Sequence, residues 1–395
     1  MIPYGKQFID ENDIEEVIRV LKSDYLTQGP AIEEFEKDIC KYVGSKYAVA
    51  VSSGTAALHL CGIIAELSPD NSLVTSPITF VASANMALYR SSNVVFCDIE
   101  RDTANINPYK LEKLLYADKK IKAVVPVHFA GSVCNMEKIS SLCRKFNVSL
   151  IEDAAHALGA QYEDGGMVGS CKYSDMTIFS FHPVKSITAG EGGVITTNSE
   201  EIYRRLLRLR SHGITKLDDT FINRKYAYSG EMPNPWYYEL QEIGYHYRFT
   251  DIQAALAKSQ LKKLNNFVAE RAKKVEEYDN AFLEVEEIEL IQKNHRKISS
   301  HHLYPILIDF NSLSIDRGQF MNILKNKGIG TQVHYIPVHI QPLYSNMGYQ
   351  SSDYPEAMYY YERCLSIPLY YSLSSQDQKF VIESIKDIIK SHKRK

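Results

Sequence analysis

The stretch Asp175-Met-Thr-Ile-Phe-Ser-Phe-His-Pro-Val-Lys-Ser-Ile-Thr-Ala-Gly-Glu-Gly-Gly-Val-Ile-Thr-Thr197 decides how the rest of the chain is read. It predicts two short strands, Met176 to Phe181 and Gly193 to Thr197, joined by a turn that carries one lysine. Ile178 and Ser180 alternate with Phe179 and Phe181 at period two, and Gly190, Gly192 and Gly193 supply turn conformations that other residues resist. Lys185 therefore sits on a rigid connection between buried elements. Loss of hydration there favours the neutral amine, as an amine nucleophile requires. Two readings follow: a Schiff-base lysine for pyridoxal phosphate (PLP), or an ordinary loop lysine.

Upstream, Val148-Ser-Leu-Ile-Glu-Asp153 reads as a nearly all-apolar strand that ends in two acids. A carboxylate buried at a sheet end is costly without a charged or hydrogen-bonding partner. A pyridinium nitrogen is one such partner for Asp153, and His156 would then lie over or beside the ring. The alternative is an acid that caps the following helix, with His156 a satisfied core histidine. Further strands are predicted at Tyr47 to Val51, Leu73 to Pro77, Val94 to Ile99 and Ala123 to Phe129. Helices fall between them, including Pro108 to Leu115 and Met136 to Phe146. This alternation predicts an α/β fold whose mostly parallel sheet is covered on both faces, with ligands gathered at the carboxyl ends of the strands.

Two of those strand ends carry further candidates. Ser52-Ser-Gly-Thr-Ala-Ala-Leu-His-Leu60 opens a helix whose first amides, at Thr55, Ala56 and Ala57, can cradle a phosphate; a simply capped helix reads the same way. It is no Walker loop, because the second glycine and the Gly-Lys-Ser/Thr end are missing. Phe80, at the next strand-to-helix switch, either lies flat over a cofactor ring or belongs to the core.

Before these strands, residues 10 to 24 predict an amphipathic helix with Ile14, Val17, Ile18 and Leu21 on its apolar face. Leu26-Thr-Gln-Gly-Pro30 breaks it, as a plain turn or as a polar ligand contact through Thr27 and Gln28. Ile32 to Tyr42 resumes as a helix with Phe35 and Ile39 inward.

After the lysine stretch, Glu200 to Arg210 is a basic helix. Residues 215 to 242, aromatic and interrupted by Pro and Gly, are expected to form a binding flap or a surface excursion. A long helical region then reaches about residue 283. A smaller unit follows: strand Leu303 to Phe310, helix Arg317 to Lys327, strand Thr331 to Ile336, and a last helix from about Ser375 to Lys390. The expected division is a large domain over 1–250 and a small domain over 251–395. His301, His302, His334 and His339 fall on separate elements without HExxH spacing, so no metal is expected.

Bulk properties agree with an ordinary globular protein. The 395 residues are 45% hydrophobic and 24% charged, with a formal net charge of −3. That balance gives no general pull toward nucleic acid or an anionic membrane. Seven cysteines without a CxxC pair read as reduced, mostly buried thiols. With no signal-peptide pattern and no apolar run of about 18 residues, a cytoplasmic chain is expected.

The phosphate-type helix start, Phe80, Asp153, Ser180 and Lys185 occur in the order of fold-type I PLP-dependent transferases, the aspartate aminotransferase class. Longer strings narrow the likeness: Ser53-Gly-Thr-Ala-Ala-Leu58, Glu152-Asp-Ala-Ala-His156, Phe179-Ser-Phe-His-Pro-Val-Lys185, Gly190-Glu-Gly-Gly193, Arg210-Ser-His-Gly213 and Gly244-Tyr-His-Tyr-Arg-Phe-Thr-Asp-Ile-Gln-Ala-Ala255. They resemble the DegT/StrS sugar-nucleotide aminotransferases from about residue 3 to the last helix. Leu26-Thr-Gln-Gly29, Trp236-Tyr-Tyr-Glu-Leu-Gln-Glu242, His302-Leu-Tyr-Pro305 and Gln332-Val-His-Tyr-Ile-Pro-Val-His-Ile-Gln-Pro342 are similar to the members that serve pseudaminic acid biosynthesis.

The resemblance implies the remaining roles. Lys185 would bind PLP and move the proton; Asp153 would pair with the pyridine nitrogen, Phe80 would stack on the ring, and His156 would lie near its hydroxyl. Ser180 with the amides of Thr55 and Ala56 would take the phosphate, and Gln28, His334 and Tyr335 would line the sugar pocket. The substrate implied is a UDP-4-keto-6-deoxy-N-acetylhexosamine of the L-arabino series, aminated at C4 with glutamate as donor and 2-oxoglutarate as product. The D-xylo epimer, and a non-catalytic member, stay open. A homodimer with shared sites is implied too. Here His246 stands where the family usually has Asn reaching the partner's phosphate; imidazole can also donate there.

Overall fold

The computed structural model describes residues 1–216 and 220–394. Its centre is a seven-stranded sheet of β1 (Tyr47–Val51), β2 (Ser72–Thr75), β3 (Asn93–Phe96), β4 (Ile121–Val125), β5 (Ser149–Asp153), β6 (Met176–Ser180) and β7 (Gly193–Thr197). The order is β1-β7-β6-β5-β4-β2-β3, and β7 alone runs against the others. The reversal follows from the short connection after β6, which returns the chain so that Gly193 faces Ser180. The sheet is therefore mixed and mostly parallel, as the alternation of elements predicts.

Because successive side chains point to opposite faces, β6 feeds both cores. Phe179 packs with Phe35, Ile39 and Phe249 on one face, while Met176 and Ile178 join Val49, Leu60 and Met86 on the other. Helices cover the two faces: α1 (Glu11–Leu21), α2 (Pro30–Val43), α3 (Gly54–Ile64), α4 (Ala82–Leu88), α5 (Pro108–Ala117), α6 (Met136–Phe146) and α7 (Glu200–Arg210). All seven cysteines are free thiols. No helix among the described residues is long and apolar enough to cross a membrane.

Two expectations need correction. The apolar face expected for α1 is largely solvent-facing: Ile14, Ile18 and Leu21 are 42%, 41% and 53% exposed, whereas Asp13 and Val20 are buried. Asp13 explains the rotation, because its Oδ2 accepts from Gln260 Nε2 and Lys263 Nζ, both at 2.7 Å. A buried carboxylate must keep those donors, so a polar anchor outweighs the apolar stripe.

The region from 215 to 283 follows the expected order. Short ladders pair β8 (Ile214–Thr215) with β11 (Glu239–Leu240) and β9 (Tyr228–Ser229) with β10 (Met232–Pro233), after the single turn α8 (Arg224–Ala227). The part of the expected flap at 217–219 lies outside the described residues. The rest holds Ile222, Met232 and Trp236 in solvent. The long helical region expected next runs to Phe282 as two helices, α9 (Asp251–Leu261) and α10 (Leu264–Phe282), parted where Lys263 reaches Asp10 and Asp13.

The last unit is a three-stranded antiparallel sheet, β12 (Ile288–Leu290), β13 (Tyr304–Ile308) and β14 (Cys364–Ile367), with β13 central. Beside it lie α11 (Arg317–Asn326), α13 (Pro355–Arg363) and α14 (Ser375–His392), whereas α12 (Pro342–Ser345) packs its Tyr344 against Phe96 of the large sheet. Residues 331 to 336 are not the expected strand. Gln332 makes one bridge to Ser366, then the chain leaves the sheet and Cys364–Ile367 takes the edge. Tyr360 Oη to the His334 carbonyl (2.7 Å) and Ser366 Oγ to His334 Nδ1 (2.9 Å) hold the departing segment.

Phe35 meets Phe181 edge-on at 5.4 Å between ring centroids and is fully buried. Phe35→Ala should therefore lower the unfolding free energy by about 3–5 kcal/mol in denaturant titration. A loss under about 1 kcal/mol would contradict this packing.

Candidate functional site

The carboxyl ends of β5 and β6, the start of α3 and the 332–336 segment close around one cavity of about 610 Å³. Its lining includes Thr55, Phe80, Asp153, His156, Ser180, Lys185, His334 and Tyr335. Eight residues singled out in the sequence thus meet in one place.

Asp153 ends β5 almost wholly buried. Its Oδ2 accepts from Ser83 Oγ at 2.6 Å and its Oδ1 from the Ala155 amide at 3.1 Å. Neither donor carries charge, so the carboxylate has neutral partners for a negative end in the cavity wall. Lys185 stands across from it. Burial pulls its amine down to about 8, with the Asp153 charge acting the other way. The neutral amine is then a substantial minority at physiological pH, far more than in an ordinary lysine near about 10.4.

Glu152, one residue earlier, points to the opposite face of the sheet and is fixed there. It accepts from His128 Nε2 (2.8 Å), Tyr162 Oη (2.9 Å), Ser174 Oγ (2.5 Å) and Thr177 Oγ1 (3.1 Å). Burial pushes its carboxyl up, but those hydrogen bonds outweigh burial and hold it below the usual range. The Cys134 amide donates to His128 Nδ1, which leaves Nε2 to donate to Glu152.

The first turn of α3 supplies the anion-binding end. Ser53 Oγ accepts from the Ala56 amide at 3.0 Å, and the Ala57 amide turns to the Ser53 carbonyl. The helix therefore presents the amides of Gly54 and Thr55 to the cavity, not those of Ala56 and Ala57. Gly54 faces Ser180 so closely that an added Cβ would sit 3.0 Å from the Ser180 Cβ. Phe80 is 56% exposed, its ring presented at the cavity instead of packed in a core.

The opposite wall is imidazole and phenol. The Ala130 amide donates to His156 Nδ1 at 3.3 Å, which leaves the ring proton on Nε2, 3.1 Å from Tyr335 Oη. Burial, with Lys185 and His334 nearby, pushes His156 well below its ordinary value, and burial beside Lys185 brings His334 to about 4. Both are neutral at physiological pH. His302, Ser83, Tyr4 and Gln332 also line the cavity and were not singled out as site residues; no local spacing marks them.

Other candidates lie elsewhere. Gln28 is exposed in the α1–α2 turn, whose Thr27 bridges Thr250, and is not part of the lining. His246 is exposed, pairs with Ser211 and places its ring 5.3 Å from that of His212, outside the lining. No described residue of the 215–242 segment lines the cavity. His339 is buried against Phe96 and Tyr354. Among the described residues no group of three or more His, Cys, Asp or Glu is placed to hold a metal ion.

A mixed α/β sheet with a desolvated lysine, a buried acid and an amide cradle at its strand ends defines a transferase of the fold-type I PLP class. The arrangement fits that cofactor: amides and a hydroxyl for phosphate, a carboxylate with only neutral partners, an exposed aromatic face, and a lysine of lowered basicity. The chain belongs to the DegT/DnrJ/EryC1/StrS aminotransferase family, which it matches over residues 7–386. It is thus an enzyme of a sugar aminotransferase family. It is 38% identical over 391 residues to the spore coat polysaccharide biosynthesis protein SpsC of Bacillus subtilis, covering 98% of this chain and 97% of that one. It is 37% identical over 399 residues to the UDP-4-amino-4,6-dideoxy-N-acetyl-beta-L-altrosamine transaminase of Campylobacter jejuni, covering 100% and 99%. Among solved structures, Helicobacter pylori PseC, an aminotransferase of pseudaminic acid biosynthesis, superposes with a TM-score of 0.90 at 32% identity, covering 99% of each chain. The PLP form of the putative sugar aminotransferase Spr1654 from Streptococcus pneumoniae gives 0.88 at 29%, again covering 99% of each.

In the cofactor-free protein, acylation of Lys185, followed by mass spectrometry of its peptide, should rise to half its limiting rate near pH 8. Asp153→Asn should move that midpoint down, because it removes a charge that favours the ammonium form. An unmoved or raised midpoint would contradict the geometry.

Proposed function

We propose that this protein is a PLP-dependent C4 aminotransferase. It would convert UDP-2-acetamido-2,6-dideoxy-β-L-arabino-hex-4-ulose to UDP-4-amino-4,6-dideoxy-N-acetyl-β-L-altrosamine, with glutamate as amino donor, in pseudaminic acid biosynthesis in the cytoplasm. The observation that carries the reading is Lys185: a desolvated amine opposite Asp153, in one cavity with the Gly54 and Thr55 amides and Ser180. The likeness to the altrosamine transaminase and to PseC supports the substrate.

Bound there, PLP would supply an electron sink and carry the amino group between two half-reactions. This chain's residues would do the rest. Asp153 would keep a proton on the ring nitrogen, and the Gly54 and Thr55 amides with Ser180 would anchor the phosphate. Phe80 would cover the ring and His156 would sit at its other side. Lys185 Nζ would take the proton from the amino-bearing carbon of glutamate and, in the reverse sense, deliver one to C4 of the sugar. His334 and Tyr335, uncharged donors and acceptors, suit sugar hydroxyls.

No arginine lines the cavity among the described residues, although the donor brings two carboxylates. The exposed 220–242 segment and His246 also find no cavity in their own chain. These features support a homodimer in which each subunit completes its partner's site, with His246 donating to the partner's phosphate. His246→Ala should then loosen PLP about tenfold in equilibrium dialysis, the loss of one hydrogen bond to a charged group. Unchanged retention would contradict the shared site.

The decisive assay mixes the PLP-loaded protein with glutamate and each of the two C5-epimeric UDP-4-ketosugars, with products identified by NMR. Amination of the L-arabino sugar alone is expected; amination of the D-xylo sugar alone would overturn the pathway and keep the chemistry. Lys185→Arg should cut turnover by at least about a thousandfold while leaving the fold intact.

A further inference from the structure

Behind the imidazole wall lies a cation that the site chemistry above does not use. Arg271, on α10, is 4% exposed. Its Nη1 donates to the carbonyls of Leu369 (2.9 Å) and His302 (3.2 Å), with that of His301 at 3.5 Å. Its Nε is buried with no partner. Among the described residues no carboxylate pairs with it, and burial alone lowers it to about 10, so it remains a cation. A buried charge without a counter-charge is expensive. Neutral amides could satisfy three carbonyls at lower cost, so the charge itself needs an explanation.

The explanation lies in what those carbonyls belong to. His302 donates its amide to the Ala130 carbonyl at 2.9 Å, while the Ala130 amide holds His156 Nδ1. Ser300 Oγ donates to the His156 carbonyl at 2.7 Å. Three left-handed residues meet at this junction: Ala130 (φ 57°), Gly131 (φ 95°) and His301 (φ 52°). Only glycine fits the second, because a Cβ there would lie 2.6 Å from Ser300 Oγ and 2.9 Å from the His301 amide. Ala130 and His301 are non-glycine residues in a conformation they resist, so the surroundings must hold them. Arg271 grips the His301–His302 side of the junction.

The ring of His302 lies 4.4 Å from that of His156, tilted by 35°, and lines the cavity. Its Nδ1 is buried without a partner. Two imidazoles this close cannot both carry protons at reasonable cost. Burial first, and then every group facing His302 (His156, Lys185, Arg271 and His334), opposes a proton on it.

We propose that Arg271 is a positioning residue for the reaction: it pins the main chain of His301 and His302 and so fixes the His302 ring beside that of His156 in the cavity wall. This rests on the aminotransferase reading above. A neutral imidazole pair can donate to and accept from hydroxyls, whereas a protonated one would place a second cation beside Lys185 and raise the cost of its ammonium form.

The test uses Arg271→Met and Arg271→Lys, with and without PLP. Imidazole ring signals of the cofactor-free protein, assigned with His156→Asn and His302→Asn, are followed by NMR from about pH 5 to 8, the range of an ordinary imidazole. In the parent protein the His156 and His302 signals should stay flat. In Arg271→Met the His302 signal should move from its parental position yet stay flat with pH, because burial still opposes a proton on it, and KM for the ketosugar should rise about tenfold or more in the PLP-loaded enzyme. Arg271→Lys keeps the charge on a shorter side chain that does not reach the carbonyls, so a moved His302 signal with a raised KM is expected. A His302 signal at its parental position and kinetic constants within about twofold of the parent in a folded Arg271→Met would overturn the proposal. If that variant does not fold, Arg271→Lys decides: parental KM and parental imidazole shifts would overturn it. A parent protein that aminates no ketosugar would sink the functional reading alone, since the imidazole comparison needs no turnover.

Discussion

The structure depends on the burial of two adjacent carboxylates at the end of one strand. Glu152 and Asp153 close β5, and strand geometry sends their side chains to opposite faces. Removing one partner from a buried charge typically costs about 3–5 kcal/mol, so both faces must supply donors. On one face His128, Tyr162, Ser174 and Thr177 satisfy Glu152; on the other Ser83 and the Ala155 amide meet Asp153. The fully bonded side fixes the strand, and the sparsely bonded side faces the cavity. Stability and chemistry are thereby divided between two consecutive residues.

Around that strand end the chain gathers groups of opposite tendency. Lys185 is held where burial favours its neutral form, while Asp153 keeps that preference from becoming extreme. The wall of His156, His334 and Tyr335 remains uncharged because burial and the nearby lysine both oppose a proton on the imidazoles. The wall can therefore offer polar contacts without adding a second charge beside Lys185. This is a division of labour between polarity and charge.

The outer surface obeys a different constraint. On α1, Asp13 claims the inward position through Gln260 and Lys263, and the apolar stripe turns outward. Trp236, Met232 and Ile222 likewise stand in solvent in this single chain. Exposed apolar groups of this size mark surfaces that meet another molecule. They agree with the reading that one chain holds only part of its own site.

By itself the sequence determined the sheet, the order of its elements and the residues at its strand ends. Apolar runs, period-two alternation and glycine-marked turns are local signals, and β6, β7, Asp153 and Lys185 stand where those signals place them. Family likeness then supplied the class of chemistry. Tertiary structure decided the rest. Ser83 meets Asp153 across 70 residues and Tyr335 meets His156 across 179, distances over which no spacing rule carries information. It turned 331–336 from a strand into cavity wall and rotated α1 about a buried acid. It also brought Arg271 behind His302. Each outcome was set by where a buried polar group could find its partner, and partners of that kind are chosen by the packed fold, not by neighbours in the chain.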